Sequence, residues 1–158
     1  MQPSFRNMTS LYLQRDGKML FLFRENSRVD RNNWRGIGGH CLPVEINEPY
    51  RCVIRELGEE IGIQEADLLK IELRYVTLQK FGNEIYQNYY YFAEVDDNVT
   101  VLETSPEGRL QWFDNTQILD LEMPAASKAV LKHYFETGCH TEKIYSATIN
   151  EETHFQPL

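Results

Sequence analysis

The chain has 158 residues, 42% of them hydrophobic, enough for one well-cored domain and no more. Its formal charge of −8 excludes wrapping a nucleic-acid polymer, which needs a basic stripe, but leaves room for a single nucleotide delivered with a cation. No apolar run approaches the roughly 20 residues that span a bilayer, and the N-terminus lacks an apolar signal core. Cys41, Cys52 and Cys139 contain no C-x-x-C pair, so the expectation is free thiols in a reducing, cytoplasmic setting without a membrane partner.

In chain order, residues 9–14 and 18–24 are short apolar runs around Asp16-Gly17, a pair that supplies the positive φ angles of a tight hairpin turn. Residues 25–33 are polar and predict an exposed loop, and residues 34–37 a short strand leading into Gly38-Gly39. A helix follows, with Asn47 as N-cap, Pro49 in the first turn where a missing N–H costs little, and Gly62 as the left-handed closing residue. Its apolar stripe is Tyr50, Val53, Ile54, Leu57 and Ile61, a pattern for burial against a sheet. Residues 65–69 form a polar connector. Strands are predicted over 71–79 and 88–95, bracketing a turn at Gly82-Asn83. Within the second, Tyr89-Tyr90-Tyr91-Phe92 alternates between faces, so at most half the run can line one pocket and core packing is favoured over base stacking. An acidic loop (96–107), a short strand (110–113) and a second amphipathic helix (125–136) complete the pattern. That helix turns Val130, Leu131, Tyr134 and Phe135 inward and is closed by Gly138. Residues 139–158 have weak periodicity and receive no assignment. Without repeats or a linker, residues 1–158 read as a single domain. The element order predicts a mixed α/β (α+β) fold, with a mixed central sheet sandwiched between helices.

The chemistry concentrates on the first helix. Arg55, Glu56, Glu59 and Glu60 fall close together, and at about 100° per residue Glu56 shares a face with Glu59 and Glu60. Like charges at this spacing destabilise an isolated helix by roughly 0.2–0.5 kcal/mol per pair, and a bound cation reverses that sign. Oxygen donors without His or Cys suit magnesium or manganese rather than zinc. Alone, such a cluster reads as readily as a solvated acidic face; the diglycine ahead of it shifts the balance. Gly38-Gly39, Glu45 and the run from Arg55 to Ile63 resemble the signature of the Nudix hydrolases, G-x5-E-x7-R-E-U-x-E-E-x-G-U with U aliphatic. Five residues separate Gly39 from Glu45, as the pattern asks, but nine rather than seven separate Glu45 from Arg55. The segment 46–49 can absorb the two extra residues before the helix. From Arg55 to Ile63 each specified position matches. The W-x-G-x-G-G sequence from Trp34 to Gly39, after a basic, Asn-rich loop, is similar to the MutT-type branch.

The resemblance implies a Nudix α/β/α sandwich and magnesium-dependent cleavage of a diphosphate linkage in a small nucleotide, with manganese as a possible substitute. The leading substrate is a (deoxy)nucleoside triphosphate, oxidised forms such as 8-oxo-dGTP included, giving the monophosphate and pyrophosphate. Magnesium neutralises phosphate charge and activates a water. Because it keeps several waters, Glu59 and Glu60 suffice as protein ligands, with Glu56 a third ligand or the general base. Arg55 would pin the catalytic carboxylates through Glu59 and Glu45. By resemblance, the Gly38 carbonyl and Glu107 complete the metal shell, while Arg24, Trp34, Gly39 and His40 contribute to the substrate pocket. Blander readings stay open: Trp34 as a core anchor, Glu107 as a solvated loop acid, His40 as a hydrogen-bonding surface residue. Cys139, His133 and His140 lack zinc-site spacing. Some animal oxidised-purine triphosphatases read the base with an acidic pair after a Trp-Pro before the last helix; here the stretch is Met123-Pro124-Ala125-Ala126, without that pair. Two further readings are a Nudix hydrolase of a nucleotide sugar, ADP-ribose or dinucleotide, and a non-catalytic nucleotide sensor. The intact Glu56, Glu59 and Glu60 argue against the sensor. Monomer and homodimer are both compatible with the sequence.

Overall fold

The computed structural model describes residues 1–25 and 33–158. Most of the expected exposed loop, residues 26–32, lies outside the described residues. Strands β1 (Ser4–Arg15) and β2 (Lys18–Arg24) form the expected hairpin, with φ of 51° at Asp16 and 70° at Gly17. Then come β3 (Asn33–Arg35), α1 (Pro49–Ile61), β4 (Leu68–Phe81), β5 (Glu84–Val95), β6 (Thr104–Ser105), β7 (Gly108–Asp114), α2 (Ala125–Glu136), β8 (Tyr145–Thr148) and β9 (Gln156–Pro157). The strands join in one mixed sheet ordered β6-β7-β2-β1-β5-β4-β8-β9, with β3 also paired to β2. β1 runs parallel to β5, in register from Ser4 opposite Glu84 to Gln14 opposite Glu94, and β8 runs parallel to β4.

Strand alternation sorts the apolar side chains into two cores. On one face, Leu11, Leu13, Leu20, Leu22, Tyr91 and Ala93 meet Val53, Leu57 and Ile61 of α1. On the other, Tyr12, Met19, Phe21, Tyr75, Tyr90 and Phe92 meet Val130, Leu131 and Tyr134 of α2. The result is the expected mixed sheet between helices. The aromatic run divides as its pleat requires: Tyr90 and Phe92 pack towards α2, Tyr91 and the half-buried Tyr89 towards α1. The Phe92 ring stacks on Tyr134 at 3.9 Å between centroids.

Several local expectations are corrected. Glu48, not Asn47, precedes the first turn of α1, and no side chain caps it; Pro49 removes one orphan N–H there and weakens the need for a cap. Tyr50 is 37% exposed rather than buried: it leans its ring on Tyr91 while its hydroxyl donates to Glu65 Oε1 at 2.6 Å. Cys52, outside the predicted stripe, is fully buried instead. Gly62 does end α1 in the left-handed region, at φ 70°. Gly138 is not a left-handed cap; it opens a short 3₁₀ turn beneath the sheet. Phe135 is only half-buried against the α2 core.

The unassigned C-terminal stretch supplies two strands. Tyr145 stacks on Tyr75 at 5.9 Å, and Phe155 meets Tyr75 and His133 at 5.4 and 4.6 Å. Buried Arg74 fastens the approach to β8 by donating to the carbonyls of Gly138, Thr141 and Lys143. A register shift between Leu73 and Tyr75 puts Arg74 and Tyr75 on the same, α2 side. A Cβ at Gly138 would meet the Tyr75 hydroxyl at 2.2 Å, and that hydroxyl is held by His133 Nδ1 at 2.8 Å. Gly138→Ala is therefore expected to cost about 1–3 kcal/mol by overpacking, read as a lowered midpoint in urea unfolding.

Candidate active site

Helical spacing places Cys52, Glu56 and Glu60 in one i, i+4 row along α1. The row lies along the Ile37–Gly38–Gly39 segment, which is itself bonded to β1: Leu11 N–H donates to Ile37 O at 2.6 Å and Thr9 N–H to Gly39 O at 2.9 Å. The two glycines are required for different reasons. A Cβ on Gly38 would sit 2.0 Å from Thr9 O, so only glycine lets the segment lie this close to β1. A Cβ on Gly39 would meet Glu56 Oε1 at 2.7 Å, so the carboxylate occupies the space a side chain would need. The Gly38 N–H donates to Glu60 Oε2 at 3.2 Å.

Arg55 organises the adjacent face. Its Nε and Nη2 donate to the two oxygens of Glu45 at 2.7 and 3.0 Å, a bidentate pair. Nη1 donates to Glu56 Oε1 and Glu59 Oε2, each at 3.0 Å, and Nη2 also reaches His40 O at 3.2 Å. Glu45 is 5% exposed and accepts a further bond from Leu42 N–H at 2.9 Å. The Arg55 hydrogen bonds, aided by that of Leu42, draw its pKa down to about 2.

The row itself is under the opposite stress. Burial raises the Glu56 carboxyl, with Arg55 opposing and Glu59 and Glu107 adding repulsion. Glu60, 4% exposed, is pushed well above the usual carboxylate range by burial first, then by Glu107 and Glu56, with the Gly38 N–H only partly offsetting. Its Oε1 is buried without a hydrogen-bond partner. Glu107 lies within hydrogen-bond reach of Glu60. Two carboxyl groups so placed share either a proton or a cation. The donor set is all oxygen and fits a hard divalent cation.

The predicted residues do not all converge. Glu56, Glu60, Glu107, Gly38 and Gly39 come together; Glu59 turns outward to Arg55 with its side chain 60% exposed. Among the described residues no three His, Cys, Asp or Glu side chains form a ready-made metal cage. Arg24, exposed on the α1 side of β2, reaches Glu107 Oε2 at 3.3 Å. His40 is exposed; burial lowers its pKa, Arg6 and Arg24 lower it further, and Glu84 opposes them. Trp34 lies on the other face of the sheet, packed against Phe23 at 4.9 Å and Phe113 at 4.7 Å, with the Arg109 guanidinium 5.5 Å from its ring. Sequence reasoning missed Arg6 and Glu84 as neighbours of His40. Their ion pair follows from the parallel β1–β5 register, for which no local signal exists.

The chain is a hydrolase acting on pyrophosphate bonds. The chain belongs to the Nudix family: the NUDIX domain model matches residues 5–134. It is 31% identical over 131 residues to the uncharacterized Nudix hydrolase YvcI of Bacillus subtilis (strain 168), covering 80% of this chain and 77% of that one. Among solved structures it is similar to the mutator MutT protein from Bacillus halodurans, with TM-score 0.75, 21% identity, and 96% and 97% of the two chains covered. It is also similar to a C. elegans Ap4A hydrolase in a binary complex, with TM-score 0.68, 17% identity, and 87% and 99% covered. Nudix hydrolases generally use divalent metal ions and act on small nucleotides. No helix among the described residues is long and apolar enough to cross a membrane.

The opposed carboxyl shifts carry opposite signs for stability. Glu45, depressed from 4.5 to about 2, contributes stability that is present above its unfolded pKa and lost as pH falls towards 2. Glu60, raised above 4.5, destabilises the metal-free fold as pH rises from there through its folded value. Thermal unfolding in chelator at mildly alkaline pH is expected to show Glu60→Gln melting above the unmodified protein. Glu45→Gln is expected to melt below it, by about 3 kcal/mol for a broken buried pair. Gly39→Ala should leave the fold intact and lower kcat about 100-fold by displacing Glu56, measured by steady-state kinetics.

Proposed function

We propose that this chain hydrolyses a nucleoside triphosphate, oxidised purine forms included, to the monophosphate and pyrophosphate with magnesium. The observation that carries the reading is the buried, unpartnered Oε1 of Glu60 beside Glu56 and Glu107, a concentration of negative charge suited to a divalent cation. Glu60 and Glu107 would hold magnesium with the Gly38 carbonyl, Glu59 would join them if released from Arg55, and Glu56 stands beside them. Bound there, magnesium supplies charge neutralisation and an acidified water.

The chain's own residues do the rest. Arg55 is tethered to Glu45, so its Nη1 holds Glu56 in one orientation. A carboxyl raised by burial is a better proton acceptor near neutral pH, which suits Glu56 to the general-base role. Arg24 at the rim beside Glu107 is positioned to meet phosphate oxygens. Arg6 and Arg24 add positive potential around His40, drawing a polyanion towards an otherwise acidic centre. Trp34 acts by anchoring β3 rather than by stacking on the base. The reading is that of one domain acting on a small molecule in the cytoplasm, as monomer or homodimer.

A product screen with magnesium separates the alternatives. Pyrophosphate released from a triphosphate supports the proposal. Monophosphates from ADP-ribose or a nucleotide sugar, or cleavage of a dinucleoside polyphosphate, would move the chain to the second reading. Tight magnesium-dependent binding without turnover would make it a sensor. Glu56→Gln is expected to lower kcat by about 10²–10⁴-fold with little change in KM. Glu60→Gln should abolish magnesium binding read by calorimetry, and undiminished binding would sink the metal assignment. Full activity in Glu59→Gln would remove Glu59 from the ligand set.

A further inference from the structure

A cavity of about 480 Å³ opens on the α1 side of the sheet, beyond the acidic row. That volume lies within the roughly 300–1,000 Å³ of small-molecule sites. Its floor is β4 and β5, and its far wall is β8 and β9, which follow the family-matched residues. Strand register ties it to the seat of Glu56. Thr9, Tyr89, Val76 and Ser146 stand side by side across β1, β5, β4 and β8, and Asn7, Gln87, Leu78 and Thr148 form the adjacent row. Tyr89 packs into the α1 core, so both rows face α1. Residues 37–41 continue the rows past β1: Thr9 N–H donates to Gly39 O and Cys41 N–H to Asn7 O, both at 2.9 Å. Strands lie about 4.8 Å apart, so three steps put Val76 roughly 14 Å from Gly39, the residue against which Glu56 packs.

The lining is close to neutral, unlike the acidic row. Glu152 and His154 are its ionisable side chains, and among the described residues no Lys or Arg joins them, so a phosphate would find no guanidinium or ammonium there. Val76 and the 41% exposed Leu78 give an apolar floor. Gln87 Nε2 donates to Asn7 Oδ1 at 3.2 Å and to Tyr89 Oη at 2.5 Å. Both amide hydrogens are thereby used, and Oε1 is left as a fixed acceptor without a partner among the described residues. Ser146 and Thr148 add hydroxyls, each a donor and an acceptor. An apolar floor framed by oriented neutral hydrogen-bonding groups suits a flat, uncharged heterocycle bearing N–H groups.

We propose that this cavity receives the nucleoside of the substrate. The Gln87 carboxamide oxygen accepts an N–H of the base, while the phosphates reach back along the rows to Glu56 and Glu60. This role rests on the hydrolytic reading; the affinity of the cavity for a nucleoside does not, since neither metal nor bond cleavage enters it. Gln87 becomes a specificity-determining residue, and β8 gains a task beyond extending the sheet. A contact to the base is made in ground and transition states alike, so its loss acts on KM more than on kcat.

The test is an NMR titration of the isotope-labelled full chain, held in chelator, with adenosine, guanosine, cytidine and purine riboside. At least one of the three amino-bearing nucleosides is expected to shift the Val76 and Leu78 methyl signals and the Gln87 side-chain amide. Purine riboside, whose base has no N–H, should bind about three- to tenfold more weakly than the best of them, the loss of one neutral hydrogen bond. Gln87→Leu should raise KM for the preferred triphosphate by a similar factor, with a much smaller fall in kcat. Ser146→Phe, which fills the cavity from β8 without touching the acidic row, should abolish the nucleoside shifts. Shifts at these groups without triphosphate turnover would uphold the cavity and remove the hydrolytic reading. Turnover with shifts confined to other parts of the molecule, or with KM unmoved in both variants, would overturn the proposal. So would purine riboside binding as tightly as the best nucleoside, or no shift from any of them.

Discussion

The guanidinium of Arg55 is shared among Glu45, Glu56, Glu59 and the carbonyl of His40. One cation thereby satisfies a buried acid, orients a second and turns a third outward. Without it Glu45 would be left uncompensated beneath the loop, and Glu56 and Glu59 would repel freely. Glu45 fixes Arg55, and Arg55 fixes the acidic row.

The row is also where the molecule departs from the arrangement that would best stabilise it. Glu60 is buried with one oxygen unsatisfied and a second carboxyl in reach, which an apolar side chain would avoid. The surrounding construction is conservative: two apolar cores, one on each face, and a helix whose Val53, Leu57 and Ile61 are fully enclosed. That packing holds α1 against the sheet and so can carry the opposing electrostatic stress. The strain falls where a bound divalent cation would relieve it, which is the general pattern of functional sites.

Much of this was legible from residue order because helices and hairpins declare themselves locally. The α1 register, the Asp16-Gly17 turn and the Gly62 terminus all follow from spacing on a single element. The features that escaped depend on pairing between distant elements. Tyr145 and Phe155 belong to the α2 core through Tyr75 and His133, a relation that no periodicity within residues 139–158 expresses. Cys52 is enclosed because Thr9 and Gly39 lie over it, not because of its place in the stripe. Trp34 could be placed on neither face until the pairing of β2 and β3 set it opposite Phe23.

The parallel alignment of β1 with β5 bears on how the molecule comes into being. Ser4 pairs with Glu84, so the strand that seats the diglycine segment is completed only by a partner made long after it. Loop closure over such a distance is entropically unfavourable until many contacts form together, and topologies rich in such pairings fold slowly. During synthesis α1 can wind as soon as it emerges, with its glutamates in water. Desolvation of Glu56 and Glu60 waits for the diglycine segment on β1 to close over them, so the least favourable electrostatic step comes with tertiary docking rather than with helix formation.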